Sequence, residues 1–296
     1  MIFAFLTTLF WTMSSVVSAR AAKALGGPTA NRLRLVVALT LLGLLWVASG
    51  GPVWGGAAWW LIASGAVGLG LGDHCLFSAY QRLGARLPVL LTHCLAVPLA
   101  GGIEWLWLGN PLRPIEMFGI VVILAGLVLG LAPGKPTGLP RRVFWSGVAL
   151  SVLSAVGLAT SAVLSRKAVA IGLPMPAAWL PGLDMAVWRN VGGLAVALAL
   201  WTWERGPALT PAAWRQGRWW VLLSGVVGPG LGVVTYQAAL LHTHSAVVQA
   251  VVALVPLLVI PVLWRLEGDR PAKRAIAGGL LAVSGVIAMA WWHVRS

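Results

Sequence analysis

The chain has 296 residues, of which 59% are hydrophobic and only 9% charged. A soluble domain of this size could not cover itself with polar surface at that balance. The formal net charge of +14 belongs to Lys and Arg residues that punctuate apolar runs instead of clustering, which excludes a nucleic-acid patch and indicates headgroup anchoring.

The length divides into spans of about 20 residues, the number needed to cross about 30 Å of hydrocarbon. Ten are predicted, near 2–22, 33–49, 59–80, 88–109, 115–132, 144–166, 184–203, 218–240, 245–266 and 273–292. Backbone groups in lipid must be satisfied within the segment, so these spans are helices, and the alternation of a β-barrel is absent. Tryptophans such as Trp59, Trp105, Trp107, Trp201 and Trp219 sit at span ends, as an interfacial belt requires. Cys75 and Cys94 lie inside spans without a CxxC partner and read as buried thiols.

The first span lacks the basic leader of a signal peptide and is followed by nine others. On it Trp11, Ser14, Ser15 and Ser18 share one side, with Trp11 placed to form an aromatic wall. The serines read either as ligands or as helix-packing residues. The second span opens RLRLVVALTLL. In the third, Gly68 and Gly72 form a GxxxG that lets helices approach closely.

Asp73, in the third span, is the one acid deep within a span. A charge there costs about 2.5–3.5 kcal/mol on insertion scales and so is a functional candidate. His74 follows it, and Tyr80 returns to the same helix face seven residues on. An adjacent carboxylate and imidazole could bind an ammonium group or relay a proton, or Asp73 could bridge helices through hydrogen bonds. In the fourth span His93 and Glu104 share a face with Pro98 between them. His93 reads as a cavity-lining group or as a satisfied inter-helix contact, and Glu104, beside Trp105 and Trp107, as interfacial.

A break at APGKPTGLPRR, residues 132–142, divides the chain into units 1–134 and 135–296. Beyond it the sixth span offers Ser154, Thr160 and Ser161. In the seventh, Arg189 lies about a turn and a half inside and either snorkels to the interface or binds a substrate carboxylate. The eighth carries Tyr236 and Gln237, and the ninth Gln249, whose amide can both donate and accept, seven residues before Pro256.

The two units repeat one another. Gly65, Gly68, Gly70, Gly72 and Ala79 fall on Gly225, Gly228, Gly230, Gly232 and Ala239 at a constant offset of 160, and Pro98 falls on Pro256. Gly119 and Gly126 match Gly278 and Gly285, whereas Asp73 faces Val233. Five spans per unit put the second copy into the membrane the other way up, related to the first by a pseudo-twofold axis in the membrane plane. Such a duplicated unit is the signature of a secondary transporter with its site between the halves.

These residues resemble the drug/metabolite transporter superfamily, in particular its ten-helix EamA-type members. The first half carries the resemblance in WTMSSVVSARAAKAL, GLGLGDHCLFSAYQRLGA, LAVPLA and LGNPLRP; the second in SAVLSRKAV, VWRNVGG, TYQAAL, ALVPLL and EGDRP. The resemblance implies export of amino acids or related metabolites by alternating access, and both termini in the cytoplasm. Two features depart from it. The family's LGE at the end of the fourth and ninth helices is replaced at Asn110 and Asp269, and the first span has none of the acid used by small four-helix proton-coupled members.

The fold expected is therefore an all-α integral membrane protein of ten transmembrane helices in two inverted five-helix repeats, in a bacterial inner membrane. The substrate-binding candidates are Trp11, Asp73, His74, Tyr80, His93, Arg189, Tyr236 and Gln249. No cofactor, metal or nucleic acid is expected. The expected partners are a small-molecule substrate, lipid and protons as coupling ion, with the chain a monomer or homodimer. Enzyme motifs (HExxH, GxSxG, GxxxxGK[ST]) are absent. The alternatives are a carrier for a nucleotide-linked or lipid-linked sugar, and a non-transporting membrane assembly or sensor protein. Orientation divides the signals: sixteen Lys and Arg follow the odd-numbered spans and four lie on the opposite side, which places the termini outside the cytoplasm, against the family pattern.

Overall fold

Apolar sequence without alternation leaves the backbone one way to satisfy its own hydrogen bonds, and helices account for nearly all of the described residues. The computed structural model describes residues 1–50, 55–131, 139–172, 182–203, 209–267 and 273–295. The boundary at 134/135, Glu204 and Asp269 lie outside them.

In chain order the helices are α1 (Ile2–Leu25), α2 (Gly27–Ala48), α3 (Ala57–Leu83), α4 (Arg86–Leu108) and α5 (Pro114–Leu131). The second half has α6 (Arg141–Ile171), α7 (Leu183–Trp203), α8 (Pro211–Leu240), α9 (in two pieces, Ser245–Val252 and Val255–Glu267) and α10 (Lys273–Arg295). Seven helices among the described residues are long and apolar enough to cross a membrane, and shorter apolar helices lie in α5, α9 and α10. The chain is a multi-pass integral membrane protein. Trp59, Trp105, Trp107, Trp201 and Trp219 are all exposed on its surface, where an interfacial belt would place them.

Several helices outrun their apolar spans. The α6 helix has 31 residues because its basic ends, Arg141 and Arg142 at one end and Arg166 and Lys167 near the other, remain helical. The α2 helix starts at Gly27, with Pro28 in its first turn, where a missing N–H costs nothing. Arg34 therefore lies two turns inside a helix and not at its mouth.

The packing is twofold. The α3 helix lies against α6 as α8 lies against α1, α4 against α6 as α9 against α1, and α3 against α7 as α8 against α2. The pairs α2–α7, α4–α9 and α5–α10 join equivalent helices across the halves. With five helices in each half among the described residues, this is the expected inverted arrangement.

Glycine sets how closely these helices cross. A Cβ on Gly65 would collide with the Arg189 carbonyl, and one on Gly225 would lie 2.8 Å from the Arg34 carbonyl oxygen. Both GxxxG pairs serve contacts between halves: Gly72 faces Gly157 of α6, and Gly232 faces Trp11 of α1.

The glycine stretches also do what plain α-helical packing does not anticipate. Ala66–Gly72 and Val226–Gly232 are both π-helical, at the repeat offset of 160. A π turn frees carbonyls from the α ladder and often marks a functional region. One carbonyl in each is taken up by an asparagine of the preceding helix in the same half: Asn31 Nδ2 donates to Leu69 O at 3.1 Å, and Asn190 Nδ2 to Pro229 O at 3.0 Å.

The equivalent prolines behave differently. Pro98 stays inside a continuous α4, whereas α9 breaks at Ala253–Leu254, two residues before Pro256.

Candidate functional site

Where α3 crosses α7 and α8 crosses α2, the π stretches and small residues leave a cavity of about 70 Å³ between the halves. On a measure by which one water needs roughly 10–15 Å³, it takes several waters or a small solute. Both halves line it: Trp11, Ser14, Ser15 and Ser18 of α1, Arg34 of α2, Asp73 and Tyr80 of α3, and Thr92 and His93 of α4 meet Ser154 and Leu158 of α6, Arg189 of α7 and Pro229 and Val233 of α8.

Its charges are arranged unequally. A guanidinium nitrogen of Arg34 donates to Asp73 Oδ2 in a close ion pair. Arg34 Nε donates to Asn31 Oδ1 at 3.0 Å, and its guanidinium lies 4.3 Å from the centre of the Phe77 ring. Arg189 is 1% exposed, and one of its nitrogens donates to Ser161 Oγ at 3.3 Å. Its Nε and a second terminal nitrogen have no hydrogen-bond partner among the described residues. Tyr236 lies beside it, the guanidinium 5.4 Å from its ring centre, and its hydroxyl is also without a partner. Trp11 packs between Tyr236, at 4.9 Å, and His93, at 5.9 Å.

Arg34 and Arg189 are repeat mates. A Cβ on Gly68 would lie 2.6 Å from Ser161 Oγ and 3.2 Å from an Arg189 nitrogen; on Gly228 it would lie 2.5 Å from Ser14 Oγ and 3.2 Å from an Arg34 nitrogen. The equivalence extends to a pair of serine bridges, Ser18 Oγ to Ser224 Oγ at 2.6 Å and Ser165 Oγ to Ser64 Oγ at 2.9 Å.

A family model described as the EamA-like transporter family matches residues 1–131 and 145–291, almost the whole of both halves. The chain belongs to the EamA-like transporter family. Its cavity between the halves is thus that of a membrane transporter of the drug/metabolite type. A solved structure described only as "Crystal structure of protein" is similar to this EamA-like chain over 97% of its length and 96% of that chain's, with a TM-score of 0.74 and 17% identity, which speaks to the fold alone. No curated protein matches the chain in sequence. Of the two departures from the family's LGE, Asn110 falls in the turn between α4 and α5, and Asp269 is among the residues left undescribed.

Of the eight candidates, Trp11, Asp73, Tyr80, His93 and Arg189 line the cavity of this EamA-like protein. His74, Tyr236 and Gln249 are not among the lining residues. His74 is one residue and about 100° around the helix from Asp73, so the two side chains do not act on one site. Tyr236 stands behind Trp11 and Arg189. Gln249 Nε2 donates to the Leu158 carbonyl at 3.4 Å, and its Oε1 lacks a partner among the described residues. His93 Nδ1 is likewise without a hydrogen bond. Of the two readings of Asp73, its bond to Arg34 of α2 matches the bridging of helices. Arg189 does not snorkel. Arg34 is absent from the sequence-derived candidates because two cations near a helix start read as an interface; the 155-residue step to Arg189 is the signal that finds it.

Glu104, near the end of α4, faces other helices and not the surroundings. It is 2% exposed and accepts from the Ser245 backbone N–H at 2.7 Å and from the Ser245 hydroxyl, with Arg166 Nε 3.4 Å away. Arg166 also donates to the Leu240 carbonyl at 2.7 Å. On the face that carries both termini, these bonds tie the ends of α4, α6 and α8 to the start of α9. Alongside, His244 Nδ1 lies 3.5 Å from Glu116 Oε2, and contact with that carboxylate holds the imidazole's pKa above its ordinary value against the opposing effect of partial burial.

Proposed function

We propose that this chain is a secondary transporter of the bacterial inner membrane. It exports a small polar or amphipathic metabolite, an amino acid or related compound, by alternating access through the cavity between its halves. The observation that supports this most is Arg189, a buried guanidinium with two unpartnered nitrogens among the described residues, on a residue that lines a small cavity shared by both repeats. A guanidinium presents a planar fork that fits a carboxylate. Trp11, Leu69 and Leu158 supply an apolar wall for the rest of the molecule, and Ser14, Ser15 and Ser154 supply hydroxyls. Asp73, held by Arg34, is the group through which protons would couple to transport.

A nucleotide-linked sugar is poorly matched to a cavity of about 70 Å³. A non-transporting assembly protein has no use for a buried cation that lacks an ion-pair partner of its own, which costs folding energy.

Purified full-length chain reconstituted in vesicles is the test. Labelled amino acids and their deaminated and acylated relatives are loaded, and efflux is followed with and without a pH gradient. Saturable efflux above that from empty vesicles is expected for some of them, with loss in Arg189→Gln. Protein-independent leak for the entire series would overturn the reading.

A further inference from the structure

The charges lining the cavity do not sum to zero. Among the described lining residues there are two guanidiniums, Arg34 and Arg189, and one carboxylate, Asp73. Both arginines remain protonated in proteins. Glu104 cannot serve them, because Arg166 and Ser245 occupy it. His93 adds no negative charge in either protonation state. The repeat explains the deficit: Asp73 supplies the counter-charge for Arg34, and the equivalent of Asp73 in the second half is Val233, also on the cavity wall.

We propose that the substrate supplies the missing charge and enters as a net monoanion, a small monocarboxylate with a short apolar body, its carboxylate balanced by the Arg189 guanidinium. This rests on the carrier reading above and narrows it. A zwitterionic amino acid brings a carboxylate for Arg189 but also an ammonium, for which the cavity has no free acid, since Asp73 is bonded to Arg34. A cation meets an excess positive charge. The preferred order is therefore carboxylic acid anion, then zwitterion, then cation. The repeat asymmetry sets it: an acid at position 233 would give the cavity a balanced charge and no preference for anions.

The experiment uses the full chain in detergent at low chloride. Its thermal unfolding is followed with three probes of one shape, 4-methylpentanoate, leucine and leucinamide, and with the smaller acids acetate and 2-oxoisovalerate and the aromatic acid benzoate. Sodium chloride is the control at matched ionic strength. A concentration-dependent rise in unfolding temperature is expected for the monocarboxylates, a smaller one for leucine and none for leucinamide. Arg189→Gln should lose the shift, and Arg189→Lys, which keeps the charge and serves as the folding control, should retain part of it. Equal or larger shifts with leucine or leucinamide would overturn the proposal while leaving the carrier reading intact. So would a chloride effect equal to that of the acids, which would make Arg189 a counter-ion site only. If no probe of any charge shifts unfolding and the vesicle efflux series is also negative, both readings fall together.

Discussion

Arg34 and Arg189 occupy equivalent places in the two repeats, each with its backbone against a glycine of the crossing helix, yet only Arg34 is matched by a carboxylate. An inverted-repeat carrier opens one site between its halves in turn to the two sides of the membrane, so a difference between repeat mates sets which chemistry that shared site recognises. The difference here is one residue, Asp73 against Val233.

Asp73→Asn has a structural cost that the sequence does not foretell. In the structure it leaves Arg34 buried beside a neutral amide, and breaking a buried pair from one side costs about 3–5 kcal/mol. Thermal unfolding in detergent should fall well below wild type for Asp73→Asn and recover substantially in Arg34→Met/Asp73→Asn, where both charges are gone. A double variant no more stable than the single one would show that the pair contributes little.

Gly65→Ala and Gly225→Ala should both destabilise, because each added methyl group meets the backbone of an arginine-bearing helix that cannot shift alone. Gly43→Ala is the opposite case. A Cβ there meets nothing within 4 Å, so it should stabilise α2 by up to about 1 kcal/mol through helix propensity. Unfolding temperatures of the three variants check the sign of each effect.

Glu104→Gln keeps an acceptor for Ser245 but loses the charge that holds Arg166, while Glu104→Ala loses both. The expected order of stability is wild type, then Gln, then Ala, with the alanine variant lower by about 3 kcal/mol, as for a broken buried pair. Accessibility of a cysteine introduced at the start of α9 should rise in the same order, since Glu104 ties that helix to α4 and α6. Unchanged accessibility in the alanine variant would separate the bond from closure of this face.

The His244–Glu116 contact gives a pH dependence of defined sign. The folded-state pKa of His244 is raised above the ordinary value of 6.5 by its contact with Glu116. Its contribution is therefore fully present below about 6.5 and is lost as pH rises through the folded value. The difference in unfolding temperature between wild type and His244→Gln should be largest at mildly acidic pH and close at alkaline pH. A difference that grows with pH would contradict the assignment.

The distribution of basic residues predicts termini outside the cytoplasm. The structure removes two residues from the loop count, Arg34 because it lines the cavity and Arg166 because it pairs with Glu104, leaving fifteen against three. A C-terminal fusion to an enzyme active only in the periplasm should then be active. A well-expressed but inactive fusion would place both termini in the cytoplasm, as the family resemblance implies.

What the sequence determined by itself was whatever repeats or averages over many residues. Composition required membrane spans, the odd number of spans per copy required inversion, and the constant glycine offset marked where helices cross between halves. Arg189 and Asp73 stood out because a charge far inside an apolar run is costly wherever the chain folds. The partners of those charges depended on tertiary structure. Arg34 is 39 residues from Asp73 and meets it only because α2 begins earlier than its apolar stretch and crosses α3 at the π turn. Glu104 and Ser245 are 141 residues apart, so a carboxylate that local sequence places at an interface becomes a buried tie between helices. Whether Arg189 has a partner was equally undecidable along the chain. Pairing is a property of what packs opposite a side chain, and in this protein that is fixed by how the second copy folds back against the first.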